Sequence, residues 1–150
     1  MFSVALTMSL VFAAAEQDDA PKILAKAAYK LGQTSKVVRS AEELGKLANS
    51  DADKATAQLV KALKVESIDW EKQMLIVISG GSRPTGGYSV TAQKLEVKDG
   101  KLMVHWKLKS PPKGAFVTQA ITHPMQVILA DRFAGDVAFD PATPPGKKRD

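Results

Sequence analysis

Two histidines, one serine among glycines and one glycine-framed loop are where chemistry would have to begin in this chain. His105 falls in an alternating stretch beside Trp106, and His123 stands just before Pro124. A zinc or related site needs a third nitrogen, sulfur or carboxylate ligand at workable spacing, and the sequence pattern supplies none. Both histidines therefore read as structural. Ser82 sits in Gly80-Gly81-Ser82-Arg83-Pro84, with proline where a nucleophile elbow needs its second glycine. Gly81-Ser82-Arg83-Pro84-Thr85-Gly86 matches the first part of a phosphate loop. The next two places, which need Lys and Ser or Thr for phosphate and magnesium, hold Gly87 and Tyr88. A strand follows rather than a helix N-terminus, so nucleotide binding is rejected. No acid, base and nucleophile set assembles, and the chain reads as a non-enzyme that needs no metal or cofactor.

What the same loop offers is shape. Gly80 to Gly87 holds four glycines and one proline between two apolar runs. The glycine pairs read as hinges around a stiffer Arg83-Pro84-Thr85, with Arg83 biased to extended geometry by the proline after it. Arg83 brings a guanidinium fork, Thr85 a hydroxyl, Tyr88 an amphipathic ring, and Gly86 and Gly87 backbone donors. Protein recognition is the chemistry these residue types support.

Composition sets the frame for that loop. The 150 residues suit one domain, and 45% hydrophobic with 25% charged residues is the balance of a packed globular chain. There is no cysteine, so disulfides, thiol nucleophiles and thiolate metal sites are excluded. The net charge is +5, but the lysines are dispersed, with one cluster at Lys147, Lys148 and Arg149. No basic stripe with interleaved aromatics exists, which argues against a nucleic-acid partner.

Met1 to Ala15 is uncharged and nearly all apolar, ends in Ala13-Ala14-Ala15, and is followed by Glu16-Gln17-Asp18-Asp19. The run is shorter than the roughly 20 residues a membrane-spanning helix needs. It reads as a signal peptide cleaved near Ala15, although no Lys or Arg precedes it. The expected destination is periplasmic or extracellular, with no stable membrane anchor.

The elements that must position the loop fall into two regions. Ser40-Ala41-Glu42-Glu43 is a capping box that opens a helix from Ala41 to about Ala48, and Ser50 or Asp51 caps a second with Ala55, Leu59, Ala62 and Leu63 on one face. Residues 23–31 fit either helix or strand. Lys36 to Arg39 is a short strand. Met74 to Ile78 is a continuous apolar run, as for a strand buried on both faces. Tyr88–Val97 and Lys101–Lys109 alternate around a tight Lys98-Asp99-Gly100 turn. Ser110 to Gly114 is a proline-stiffened turn. Phe116–Ile121, Met125–Ala130 and Val137–Phe139 read as further strands, and the strands at 74–78 and 90–95 as neighbours that anchor the loop between them. The predicted fold is α+β: a mainly antiparallel sheet of about five to six strands with one or two helices on one face. The expected order is a signal peptide at 1–15, a lead segment at 16–36, the domain at 37–140 and a basic, disordered tail at 141–150.

Three blocks of residues resemble a known family. They are Ile68 to Met74 (Ile-Asp-Trp-Glu-Lys-Gln-Met), Arg83 to Val90 (Arg-Pro-Thr-Gly-Gly-Tyr-Ser-Val), and Ser110 to Gly114 followed by Val117 to Pro124. In order and spacing they are similar to the C-terminal domain of the protease complex subunit PrcB family, over about residues 65–130. His123 replaces the commoner small residue before Pro124, and the tail after Asp131 has no counterpart. The resemblance implies an exported, non-catalytic domain that associates with a protease and stabilises it. Arg83, Pro84, Thr85, Gly86, Gly87 and Tyr88 are then the protein-binding residues, with Thr118 and Gln119 lining or bracing the same surface. Two alternatives stand beside it. The loop is also similar to that of chagasin-type cysteine protease inhibitors, departing at Arg83 and lacking the later Arg-Pro-Trp segment. Trp70, Tyr88 and Trp106 could instead form an aromatic platform in an envelope structural or carbohydrate-binding module.

Overall fold

The computed structural model describes residues 20–142 and 144; the expected signal peptide and most of the basic tail lie outside them. The chain runs β1 (Ile23–Ala27), β2 (Lys36–Val38), α1 (Ala41–Ala48), α2 (Ala52–Leu63), β3 (Gln73–Ser79), β4 (Ser89–Lys98), β5 (Lys101–Lys109), β6 (Met125–Asp131) and β7 (Val137–Asp140). The fold class is α+β and mostly antiparallel, with seven strands divided between two sheets. One sheet has the order β1-β6-β3-β2 and the other β4-β5-β7. The single parallel pairing among these strands is β5 with β7.

Three layers result, and β3 explains them. Its alternate side chains enter different cores. Leu75 and Val77 join Leu44, Leu59 and Leu63 of the helices on one face of the four-stranded sheet. Met74, Ile76 and Ile78 meet Val90, Leu102, Val104 and Trp106 of the second sheet on the other. An uninterrupted apolar run is what a strand buried on both faces requires. Among the described residues no helix is long and apolar enough to cross a membrane.

Local chemistry sets the boundaries. Ser40 Oγ accepts from the Glu43 amide at 3.1 Å, as the capping box predicts. The return arm goes one residue further back than expected: Glu43 Oε2 accepts from the Arg39 amide at 2.8 Å. Asp51, not Ser50, caps α2, accepting from the Asp53 amide. Ser40→Ala is expected to destabilise by about 1 kcal/mol, the usual contribution of an N-cap, visible as a lower denaturation midpoint with an unchanged urea m-value.

The ambiguous segment at 23–31 is strand from Ile23 to Ala27, antiparallel to β6. The four-stranded sheet therefore includes residues of the lead segment. β4 and β5 form the predicted hairpin, with Asp99 at φ 52° and Gly100 at φ 75° in the turn. A bulge between Ala92 and Lys94 shifts the phase of β4, so its inward residues change from Val90 and Ala92 to Leu95 and Val97. The free edge of β4 is tied to the other sheet there: Ala92 N donates to Gln126 Oε1 at 2.7 Å and Lys26 Nζ to Ala92 O at 3.2 Å.

Two expectations are corrected. β3 and β4 are not hydrogen-bonded neighbours: β3 pairs with β6 and β2, while β4 pairs with β5. The loop at 80–88 is a crossover between sheets rather than a hairpin. Residues 116–121 are not a strand. Their apolar side chains face outward, with Phe116 and Ile121 at 107% and 70% exposure, because the segment crosses the 80–88 loop instead of entering either sheet.

Candidate functional site

The crossover leaves β3 at Ser79 and is pinned at once. Gly80 N donates to Pro124 O at 2.8 Å. Arg83 and Thr122 exchange both backbone hydrogen bonds, at 2.8 and 2.9 Å, in an isolated antiparallel bridge. Gly86 N donates to Thr118 O at 2.8 Å, and Thr122 Oγ1 donates to Thr85 O at 2.6 Å. Residues 117–124, which follow the double-proline turn, thus act as a strap along the loop. The two blocks singled out in the sequence meet in space although more than 30 residues separate them.

The strap sorts the candidate residues into two groups. Arg83 is 7% exposed, and its Nε donates to Gly80 O at 3.0 Å. Its guanidinium carbon lies 5.7 Å from the centroid of the Tyr88 ring, within cation–π range. The fork expected to face a partner is turned inward and braces the loop. Pro84 and Gly87 are exposed, Thr85, Gly86 and Tyr88 half-buried, and Thr118 and Gln119 exposed beside them. Thr118 is both brace and surface: its carbonyl holds Gly86, and its side chain occupies the space beside Gly86 that an added Cβ would meet at 3.4 Å. Gly87 (φ +86°) carries the positive φ, not Gly86, so Gly87 is the position of this pair that a side chain would strain.

A cleft of about 250 Å³ flanks this surface, lined by Tyr29, Tyr88, Val90, His123, Pro124 and Met125 among others. It could take one apolar or aromatic side chain. Neither Tyr29 nor the cleft was legible in the sequence, because β1 had to be placed beside β6 first. The three aromatic residues of the carbohydrate reading do not share a surface. Trp106 is buried between the sheets with Nε1 donating to Pro141 O at 2.8 Å, whereas Trp70 packs against the helical core.

His105 proves to be the centre of a small polar cluster on the outer face of the second sheet. Its Nε2 lies 2.8 Å from Glu96 Oε2 and its Nδ1 3.1 Å from Asp140 Oδ2. Only a doubly protonated ring donates to both carboxylates. Among the described residues no group of three His, Cys, Asp or Glu is arranged to hold a metal. The hydrogen bond to His105, then the charge of Lys94, holds the Glu96 carboxyl below its usual value. A carboxyl lowered on folding stabilises the protein above the unfolded-state range, near pH 4.3 for glutamate, and that contribution disappears as pH falls through the lowered value. Glu96→Gln is therefore expected to flatten the acid limb of the stability–pH profile, measured by urea denaturation at a series of pH values.

The fold and this surface define a class: a layered α+β domain that displays a loop braced by a strap, with no nucleophile–base pair assembled among the residues of that surface. Residues 74–129 match the family model described as PrcB C-terminal. The match runs from the start of β3 into β6 and contains the loop, the double-proline turn and the strap. No curated protein and no solved structure matches the chain.

Proposed function

We propose that this is an exported accessory domain, without catalysis of its own, that associates with a protease or a similar envelope protein through the Pro84–Tyr88 edge and the adjoining Thr118 and Gln119. One observation carries the reading. The loop is hydrogen-bonded to the strap at Arg83, Thr85 and Gly86, so its exposed edge is held in one conformation. Ordering a loop on binding opposes affinity, and a loop already ordered escapes that penalty. Export follows from the apolar Met1–Ala15 segment, removed near Ala15.

Crosslinking and mass spectrometry on the protein in its native envelope test this directly. A protease or protease-complex subunit should be recovered, and Thr85→Ala with Tyr88→Ala should reduce its yield about tenfold, roughly 1.4 kcal/mol, with an unchanged circular dichroism spectrum. Equal recovery by the doubly substituted protein would sink the proposal. The inhibitor reading predicts something different: slowed hydrolysis by papain-type enzymes when the domain is in excess.

A further inference from the structure

Phe116, just before the strap, and Ile121 within it are the most exposed large apolar side chains among the described residues, and neither belongs to a core. Phe116 sits just past the turn built by Pro111, Pro112 and Gly114, which Ala115 N closes on Pro112 O at 3.1 Å. A side chain projected from a stiff turn keeps its exposure, because the chain cannot fold it back onto the surface.

The charged residues nearest to it along the chain are basic. Lys107 and Lys109 point outward from β5, opposite the buried Leu102, Val104 and Trp106, and Lys113 lies in the turn; all three are exposed. None of them joins an ion pair among the described residues. No Asp or Glu occurs from Lys72 to Leu95 or from Gly100 to Ala130, the two segments that contain the loop, the turn and the strap. The carboxylates that end these segments are engaged elsewhere: Glu96 by His105, and Asp131 by the Lys22 amide.

A protein interface core is a contiguous apolar area of hundreds of Å² with charges in register at its rim. Here the apolar groups project singly, and Lys107, Lys109 and Lys113 form no ion pair among the described residues. An anionic bilayer surface suits that arrangement, since aromatic and aliphatic side chains enter the headgroup boundary while lysines meet the phosphates. We propose that the 107–121 region is a peripheral docking element for anionic lipid, with Phe116 and Ile121 inserted and Lys107, Lys109 and Lys113 at the headgroups. This goes beyond association with a protein partner: Phe116, Ile121 and the three lysines are not among the residues assigned to that partner, although Thr118 and Gln119 lie in the same stretch.

The test is sedimentation of the full chain with vesicles of phosphatidylcholine alone or with about one-third phosphatidylglycerol. The apolar amino-terminal segment is uncharged, and Lys147, Lys148 and Arg149 are the same in every variant, so the change on substituting Lys109 and Lys113 reports on this face. At low salt the anionic vesicles should bind about 100-fold more tightly, from about fivefold per lysine, and the preference should shrink as salt is raised. Lys109→Glu with Lys113→Glu should abolish it. Phe116→Ser with Ile121→Ser should weaken anionic binding about tenfold or more without changing the melting curve, since neither residue is in a core. Equal binding to both vesicle types, or no effect of the Phe116 and Ile121 changes, overturns the inference. So does a protein partner that requires Phe116 when anionic vesicles do not bind.

Discussion

Gly87→Val should lower stability by about 2–5 kcal/mol and detach the loop from its strap. Two independent effects add. Gly87 has φ +86°, where an L side chain costs roughly 1–2 kcal/mol of backbone strain. A Cβ there would also stand 2.7 Å from Pro111 Cβ and 2.9 Å from Val117 Cγ1. One of those neighbours is a proline ring that cannot rotate away, and overpacking of this kind costs about 1–3 kcal/mol. The melting temperature should fall by about 4–20 °C, at roughly 2–4 °C per kcal/mol for a chain of this size. Gly86→Ala is the control. Its φ is not positive, and an added Cβ would lie 3.4 Å from Thr118, ordinary contact. Partner association should follow the melting data, lost in Gly87→Val and kept in Gly86→Ala. A Gly87→Val protein that melts with the parent would show that Pro111 and Val117 do not hold the loop.

That contrast marks where sequence reading succeeds. Patterns satisfied within one element are legible: the Ser40 cap, the Asp99-Gly100 turn, and the run at Met74–Ile78 that must be buried on both faces. Partners chosen across the chain are not. β3 pairs with β6, some 50 residues on, rather than with β4, and no local period records that choice. Phe116–Ile121 has the composition of a strand, but a strand needs a neighbour with unpaired amides, and this segment spends Thr118 O and both Thr122 backbone groups on the loop. The inward turn of Arg83 has the same origin, since its side chain follows from a bridge to Thr122. The cluster at His105 was hidden because Asp140 reaches it through a parallel pairing of β5 with β7.

The motif blocks were legible for a further reason. Loop and strap each carry an unusual local composition, and 74–129 is the stretch the family model spans. What the residue types could not disclose was division of labour: which of Arg83, Thr85, Tyr88 and Thr118 holds the loop and which faces outward. Hydrogen bonding decides that, and it is a property of the crossing rather than of either block.

The layered core gives the second large effect. Leu75 and Ile76 are adjacent and both fully buried, yet they enter different cores: Leu75 joins the helical cluster and Ile76 the inter-sheet cluster. Each truncation to alanine should destabilise by about 2–5 kcal/mol through lost burial and the cavity left behind. Substitutions at neighbouring residues usually couple, because they share contacts or a cavity. These two share neither, since the β3 backbone stands between their cores. The double variant should therefore show the sum of the single effects within about 0.5 kcal/mol. That sum, roughly 4–10 kcal/mol, is comparable to the whole stability of an ordinary domain, so the double variant should be largely unfolded at physiological temperature. A double-mutant cycle from urea denaturation at low temperature measures it. An interaction energy above about 1 kcal/mol would mean the cores communicate through β3, and the sheet would then be a deformable partition rather than a rigid wall between two independently packed layers.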